Sequence, residues 1–488
     1  MKLTKVSSRV LLQNDPFSEE LKKYSSIRKN MLTFLVMGIF IASGIFACFK
    51  IPFLKDLFTP LLDSIKTSIY KFRQMSRWMQ FLVLGPALLF DSTRYYLTNL
   101  IAFLVLMGKK IFVSKTPHPY TNPLNCPLVS VIVPVYNEGK TIRHTLDSLL
   151  ENNYPNFELI VIDDCSSDRT SVVCSKYQAE GKITYMRKRA RGGKPNSLNY
   201  GLKLAKGKII IHVDGDCIFY RDAILNAVKP FINPKVGAVA GNLRVMNDKK
   251  NLLTELQSIE YGMCINVQRR WLSMTDTLQI ASGAFSCFRK ELLEDLMGVD
   301  TETGEDLDIT LKIRKMGYKV VFVPEAICLT EVPDTLSTLA RQRILWDRCY
   351  IRISLRKHFN IADLRHFRFG DFLSVITDII FNLIILLFFP VYIVWISIFY
   401  PKLLVFVLTV TYLFYGIVNL FQIVLAILMS QDIKRDVTFI FYAPLYFFYA
   451  TYLRMVRTFA YILEIFRMHY FKVGAFPQQV WKNMPEHW

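Results

Sequence analysis

The sequence predicts a water-soluble α/β domain with a mostly parallel sheet, inserted between membrane-spanning helices on both sides. Three observations carry this prediction. The chain is 52% hydrophobic yet holds a formal charge of +20 over 488 residues, and membrane insertion reconciles the two. Long apolar runs span the bilayer, while Lys and Arg collect in segments kept on the cytoplasmic side. Between residues 117 and 350 charge becomes frequent and no uncharged run approaches spanning length. Within that stretch, apolar runs of strand length end in polar tips and are followed by helical patterns, as in parallel βαβ units. The basic balance is thus topological, with attraction to anionic lipid or nucleotide, and a nucleic-acid partner is not expected. The nine cysteines include no Cys-x-x-Cys pair, so neither a zinc site nor a disulfide framework is indicated.

Residues 1–30 form a basic cytosolic tail, with Lys2, Lys5, Arg9, Lys22, Lys23, Arg28 and Lys29. The region 31–115 holds about two spans. The first is Met31 to Phe49 and the second lies within Phe81 to Met107, where Asp91 and Arg94 are spaced to pair on one helix face. The first span lacks a small-residue cleavage site and is not read as a signal peptide. The soluble domain covers 116–340. Residues 341–370 alternate basic and apolar side chains, as interfacial helices do. Region 371–467 holds about three spans, at Phe372 to Tyr400, Leu403 to Met429 and Val437 to Leu453. The last continues past Arg454 and Arg457 to Phe466 and reads equally as a span, a hairpin or a lipid-surface helix. Lys434 and Arg435 place the link Gln431 to Asp436 inside, and 468–488 is a tail. The expected location is the plasma (inner) membrane, multi-pass, with the α/β domain in the cytosol.

In the soluble domain the first strand, Leu128 to Val135, leads to Tyr136-Asn137-Glu138-Gly139 and a helix from Thr141. The second, Glu158 to Ile162, closes on Asp163-Asp164-Cys165-Ser166-Ser167-Asp168. Neither tip has the glycine pattern of a dinucleotide cradle or phosphate loop, which disfavours hydride transfer and ATP hydrolysis. Asp168 and Ser166 suit helix capping, whereas Asp164 suits a hydrogen bond to a nucleobase or ribose. The apolar run Ile209 to Val213 ends in Asp214-Gly215-Asp216. Side chains alternate along an extended chain, so both carboxylates project to one side and can converge on Mg²⁺ or Mn²⁺.

The ordered series Pro134-Val135-Tyr136-Asn137-Glu138, Asp163-Asp164-x-Ser166-x-Asp168, Arg191-Gly192-Gly193-Lys194, Asp214-x-Asp216, Gly304-Glu305-Asp306 and Gln342-x-x-x-Trp346 resembles family 2 glycosyltransferases. More narrowly it resembles the processive membrane synthases of hyaluronan, chitin, poly-N-acetylglucosamine and cellulose. The resemblance implies a GT-A-like fold with a Rossmann-like nucleotide half and a nucleotide-sugar donor, most often UDP-linked. It implies donor contacts from Tyr136, Glu138, Asp164, Lys194 and Asp214, a metal at Asp216, and Asp306 as the base that deprotonates the acceptor. Ser282 and Gly283 would form an acceptor-side loop, with Gln342 and Trp346 on the acceptor helix. One departure is plain: Leu345 stands where the family pattern Gln-x-x-Arg-Trp requires arginine. Arg343 and Arg348 are the nearest substitutes for support of the diphosphate. The function implied is processive, inverting synthesis of a β-linked extracellular or capsular polysaccharide from UDP-N-acetylglucosamine or another UDP-sugar, with translocation through the membrane domain. Its partners would be the donor, the growing polymer or a lipid acceptor, membrane lipids and an export partner of unknown identity. Two alternatives stand beside it, addition of one sugar to a lipid carrier and a catalytically silent membrane scaffold.

Overall fold

The computed structural model describes residues 52–89, 99–105, 108, 126–300, 303–358, 370, 372 and 385–466. The expected first span, the Asp91–Arg94 pair and both tails lie outside the described residues. The chain divides into two compact units, 1–81 with 396–408, and 82–395 with 409–488. In the first, helix α1 (Pro52–Gln74) packs on the 396–408 segment. Ser68 donates to the Lys402 carbonyl at 2.7 Å, and the Phe72 and Phe406 rings lie 5.4 Å apart.

The second unit is built on one eight-stranded sheet of order β3-β2-β1-β4-β7-β6-β8-β5. Its strands are β1 (Val129–Val135), β2 (Phe157–Asp163), β3 (Thr184–Arg187), β4 (Ile209–Val213), β5 (Ile218–Phe219), β6 (Val236–Val245), β7 (Phe285–Arg289) and β8 (Lys319–Thr330). β1 and β4 are buried along their whole length, as expected of central parallel strands covered on both faces. The helices following β1, β2 and β3 are α2 (Ile142–Leu150), α3 (Thr170–Ala179) and α4 (Lys194–Leu204). β3, β2, β1 and β4 run parallel, and β7 then pairs antiparallel with both β4 and β6. The sheet is therefore mixed, with the expected parallel nucleotide half and a second half that reverses direction. The reversal matters for the site, because pairing Val213 with Phe285 brings the start of β7 to the end of β4.

Further helices include α5 (Leu252–Tyr261), continued by a π-helical stretch Gly262–Gln268, α6 (Glu305–Lys315), α7 (Leu336–Tyr350), continued by a π-helical stretch Ile351–Lys357, and then α8 (Ile385–Phe399), α9 (Pro401–Leu428) and α10 (Phe439–Ile465). Among the described residues only α9 is long and apolar enough, by length and composition, to cross a membrane. α10 is one unbroken helix of 27 residues, which excludes the hairpin reading of that segment. Ile259, Met263, Leu339, Ile423, Ala426 and Tyr446 belong to one apolar cluster, so α5, α7, α9 and α10 share a core. The link between α9 and α10 is docked on the soluble domain. Arg244 on β6 pairs with Asp436, and Arg435 with Asp248 at 2.8 Å. These two ion pairs tie the link to β6 and to the turn that follows it.

One buried hydroxyl tests the sheet. Ser130 on β1 donates to Glu158 Oε1 at 2.6 Å and accepts from the Gly207 amide at 2.8 Å, joining β1, β2 and the entry to β4. Ser130→Ala leaves the Gly207 amide unsatisfied and is expected to destabilise the domain by about 1–3 kcal/mol, read as a lowered thermal midpoint.

Candidate active site

Both parallel strands β1 and β2 end at the same edge, and their tips are tied together. The Asn137 amide donates to Ser166 Oγ at 3.0 Å, and Asn137 Oδ1 accepts from the Ser167 amide at 2.9 Å. Asn137 adopts φ 57°, a left-handed conformation that asparagine tolerates better than most residues. Glu138 is 7% exposed and accepts from Thr141 Oγ1 at 2.6 Å. Asp168 accepts from the Gly139 and Thr170 amides at 2.8 and 3.0 Å, the capping-type role its position suggests.

Asp164, expected to face the donor, has intramolecular partners at the tip of β2. Its buried carboxylate accepts from Lys188 Nζ and from the amides of Gly192 and Gly193 at 2.9 and 2.7 Å. It thus holds the loop that carries Arg191 and Lys194. The Arg191 guanidinium carbon lies 3.6 Å from the Tyr136 ring centroid, a cation–π contact over the ring expected to face the nucleoside. Arg191 belongs to a recognised motif, yet its stacking partner lies 55 positions away in sequence and periodicity gives no sign of the contact.

Lys194 begins α4 and lies at the centre of the site. Its ammonium pairs with Asp214 and stands 3.7 Å from Glu305 Oε1. Burial works against that charge, but the Asp214 and Glu305 carboxylates outweigh it and hold the ammonium above the ordinary lysine range. Gly283 packs directly against this group. A methyl at its Cα would meet Lys194 Nζ at 2.9 Å, Glu305 Oε1 at 3.5 Å and Asp306 Oδ2 at 3.6 Å, so the backbone approaches where no side chain fits. The Gly283 amide donates to Asp306 Oδ2 at 3.0 Å, and the Leu307 amide to Oδ1 at 2.8 Å. Two backbone donors, one in the loop before β7 and one in the first turn of α6, therefore orient the Asp306 carboxylate. Gly304, just before it, has φ 92°, and a Cβ there would meet Ile353 Cδ1 at 2.4 Å. Glycine is required on both counts, and the π-helical stretch after α7 thereby packs against the turn bearing Glu305 and Asp306.

Glu305 and Arg269 were not singled out from the sequence. Burial pushes the Glu305 carboxyl up to about 7, with Lys194 opposing that shift. Arg269 donates to Ser282 Oγ at 2.7 Å, and burial lowers its guanidinium to about 10 against the pull of Asp306. The Arg269–Ser282–Gly283–Asp306 sequence of contacts thus continues the site away from β4. His212 is a core residue. Its ring lies 5.1 Å from that of Phe288, and burial, with Lys194 nearby, lowers it to about 3.

Asp214 and Asp216 follow the end of β4, half-buried, with Gly215 buried between them. Among the described residues no group of three or more His, Cys, Asp or Glu forms a ready-made metal site. Two carboxylates still fit a Mg²⁺-type site, which uses one or two of them and completes its shell with substrate phosphate and water.

The expected acceptor and diphosphate residues on α7 separate into different environments. Trp346 is 45% exposed and Gln342 half-buried. Arg343 is bound bidentately by Glu260 at 2.9 and 3.0 Å, and the buried Arg348 by Glu464 at 2.8 Å. The structure does not bring these two guanidiniums to the Lys194 group.

The pH dependence follows from Glu305. Below about pH 7 it is neutral; above, it adds negative charge beside Lys194, the lysine expected to meet a diphosphate. The donor KM is expected to rise as pH increases through 7, and to lose that rise in Glu305→Gln, with metal concentration held constant.

Residues 130–297 match the family described as glycosyl transferase family 2. A poly-β-1,6-N-acetyl-D-glucosamine synthase of Staphylococcus epidermidis is 34% identical over 220 residues, covering 45% of this chain and 53% of that protein. The protein of the same name from Staphylococcus aureus (strain COL) is 32% identical over 241 residues, covering 49% and 58%. The chain spans about half the length of the curated relatives it matches. Among solved structures, a mannosyltransferase from Pyrobaculum calidifontis in complex with GDP-Man and Mn²⁺ is 21% identical with a TM-score of 0.47, covering 79% of this chain and 99% of that one. The family 2 match thus lies within the sheet-bearing unit, over β1 to β7. The matched range holds the Tyr136, Lys194, Asp214 and Gly283 segments and ends before Glu305, Asp306 and α7.

Proposed function

We propose that this chain is a membrane-anchored, inverting glycosyltransferase that extends a β-linked polymer of N-acetylglucosamine from its UDP-sugar at the cytosolic face and passes the polymer outward through its membrane helices. The observation that carries the reading is the shared approach to Gly283. The cation suited to a diphosphate, Lys194, and the carboxylate suited to a base, Asp306, both face the same glycine backbone. A sugar lying on that backbone has its leaving group toward Lys194 and its acceptor toward Asp306. The relatives named poly-β-1,6-N-acetyl-D-glucosamine synthases supply the choice of sugar.

In this mechanism Tyr136 and Glu138 receive the nucleoside, while Asp164 keeps the Arg191–Lys194 loop in place. Lys194 exchanges part of its pairing with Asp214 for the diphosphate, a point charge suited to that group. Asp216, with Asp214 beside it, would hold Mg²⁺ or Mn²⁺, and the cation supplies neutralisation of charge on the leaving diphosphate. Asp306 takes the proton from the acceptor hydroxyl as that oxygen attacks the anomeric carbon from the face opposite the diphosphate. The carbon–oxygen bond to the diphosphate breaks with its electron pair, and an α-linked donor yields a β-linked product. The Gly283 and Leu307 amides keep the carboxylate aimed throughout. Trp346 offers a ring face on which the acceptor sugar stacks.

The test is product analysis with the purified full chain in lipid nanodiscs, given Mg²⁺ or Mn²⁺ and radiolabelled nucleotide sugars singly and in pairs. A long polymer cleaved by a β-1,6-N-acetylglucosaminidase supports the proposal. A glycolipid bearing one sugar would replace it with single addition to a lipid carrier, and binding without turnover would favour the scaffold. Asp306→Asn is expected to lower transfer by at least about 10²-fold with donor affinity nearly unchanged, whereas Asp216→Ala loses metal-dependent donor binding as well. Full activity in Asp306→Asn would remove the base assignment.

A further inference from the structure

Arg343 is held by residues far from it in sequence. Both oxygens of Glu260 on α5 accept from its guanidinium, at 2.9 and 3.0 Å, and the Tyr449 hydroxyl on α10 donates to Glu260 Oε2 at 2.6 Å. The side chains of Arg343 and Glu260 are each 13% exposed. A bidentate pair of this kind is both directional and strong. The same guanidinium carbon lies 4.6 Å from the centroid of the Trp346 ring, one helical turn along α7. Trp346 nevertheless remains 45% exposed, so its ring is covered on one side and open elsewhere. Ile259, Leu339 and Tyr449 lie in one apolar cluster, and the polar triad is thus anchored where α5, α7 and α10 meet.

We propose that Glu260, Arg343 and Tyr449 form a positioning triad for the acceptor: it fixes the Trp346 ring for stacking on the terminal sugar of the growing chain, and Arg343 takes no part in binding the donor diphosphate. This rests on the reading of Trp346 as the acceptor platform. A tryptophan ring left free to rotate must be ordered again each time a sugar binds, and a guanidinium fixed on one of its faces removes that cost. The carboxylate and the tyrosine keep the guanidinium itself from turning toward the diphosphate. Because Glu260 belongs to the family 2 domain while Trp346 lies on α7 and Tyr449 on α10, the triad also sets the acceptor platform in register with the donor site.

The experiment compares Arg343→Met, Glu260→Gln, Tyr449→Phe, Trp346→Ala and the Arg343→Met/Trp346→Ala double variant, each as the full chain in nanodiscs with its thermal midpoint recorded. KM is measured separately for UDP-N-acetylglucosamine and for soluble β-1,6-linked N-acetylglucosamine oligomers. Arg343→Met and Glu260→Gln are expected to raise the oligomer KM roughly tenfold while the donor KM stays within about twofold, and Tyr449→Phe to do so more weakly. The double variant should be no worse than Trp346→Ala alone, since the triad acts through the ring. A donor KM that rises in Arg343→Met as it does in Lys194→Ala restores Arg343 to the diphosphate and overturns the proposal, as does an effect of Arg343→Met that adds in full to that of Trp346→Ala. If Trp346→Ala leaves the oligomer KM unchanged, the acceptor reading fails and this role with it. If Trp346→Ala raises it while Arg343→Met and Tyr449→Phe do not, only the positioning role fails. Should Glu260→Gln not fold, the single-hydroxyl change in Tyr449→Phe still decides.

Discussion

The contact on which the site depends is the pairing of Lys194 with Asp214, with Glu305 close behind. A buried ammonium is tolerated only where carboxylates meet it, and here they come from different parts of the chain. Lys194 opens α4, Asp214 closes β4 and Glu305 opens α6. Meeting the charge therefore brings the ends of three elements around one point. Asp306 inherits its place from this, being the next residue along and oriented by the Gly283 and Leu307 amides. In the proposed reaction a diphosphate competes for a lysine already placed, so that its binding requires an exchange of partners.

The sheet supplies the geometry that this pairing needs. β1, β2 and β4 are parallel and deliver their tips to one edge, as open α/β sheets do. A further parallel strand beside β4 would place its own start at the opposite edge. Because β7 runs antiparallel to β4, with Val213 opposite Phe285, the chain enters β7 at the same edge where β4 ends. Ser282 and Gly283 are thereby set beside Asp214 and Lys194. The change of direction in the middle of the sheet is what allows donor-side and acceptor-side segments to share an edge.

Much of this was legible in the sequence, and the parts that were not have a common cause. The parallel half, the tips of β1 and β2, the carboxylates after β4, and the grouping of Lys194, Gly283 and Asp306 follow from apolar runs, turn residues and the family resemblance. The reversed half with β6, β7 and β8 was not specified, since pairing between strands separated by helices leaves no periodic mark. The pattern suits Asp164 to the nucleoside but does not reveal the Gly192 and Gly193 amides that its carboxylate accepts, since backbone donors do not show in a residue pattern. Arg343 and Arg348 looked like substitutes for the arginine absent at 345. Their actual carboxylates, Glu260 and Glu464, lie 83 and 116 positions away, a distance over which sequence spacing carries no geometric information. For the same reason the neutral range of Glu305 could not be foreseen. It depends on burial and on Lys194, which only the fold brings to it.

The occupied arginines also bear on the charge balance of the proposed reaction. With Leu345 in place of arginine and with Arg343 and Arg348 engaged by glutamates, the cation at the centre of the site is Lys194, itself already answering Asp214. Arg269 lies on the far side, against Ser282, where its field acts on Asp306. A nucleoside diphosphate brings additional negative charge into a pocket that holds Asp214, Asp216, Glu305 and Asp306. One shared lysine does not offset that sum, and keeping Glu305 neutral reduces it by only one charge. The electrostatic deficit falls beyond the end of β4, where Asp216 stands three residues after Val213. In the proposed reaction, leucine in place of arginine at 345 would shift more of the leaving group's charge onto a divalent cation that Asp216 would hold.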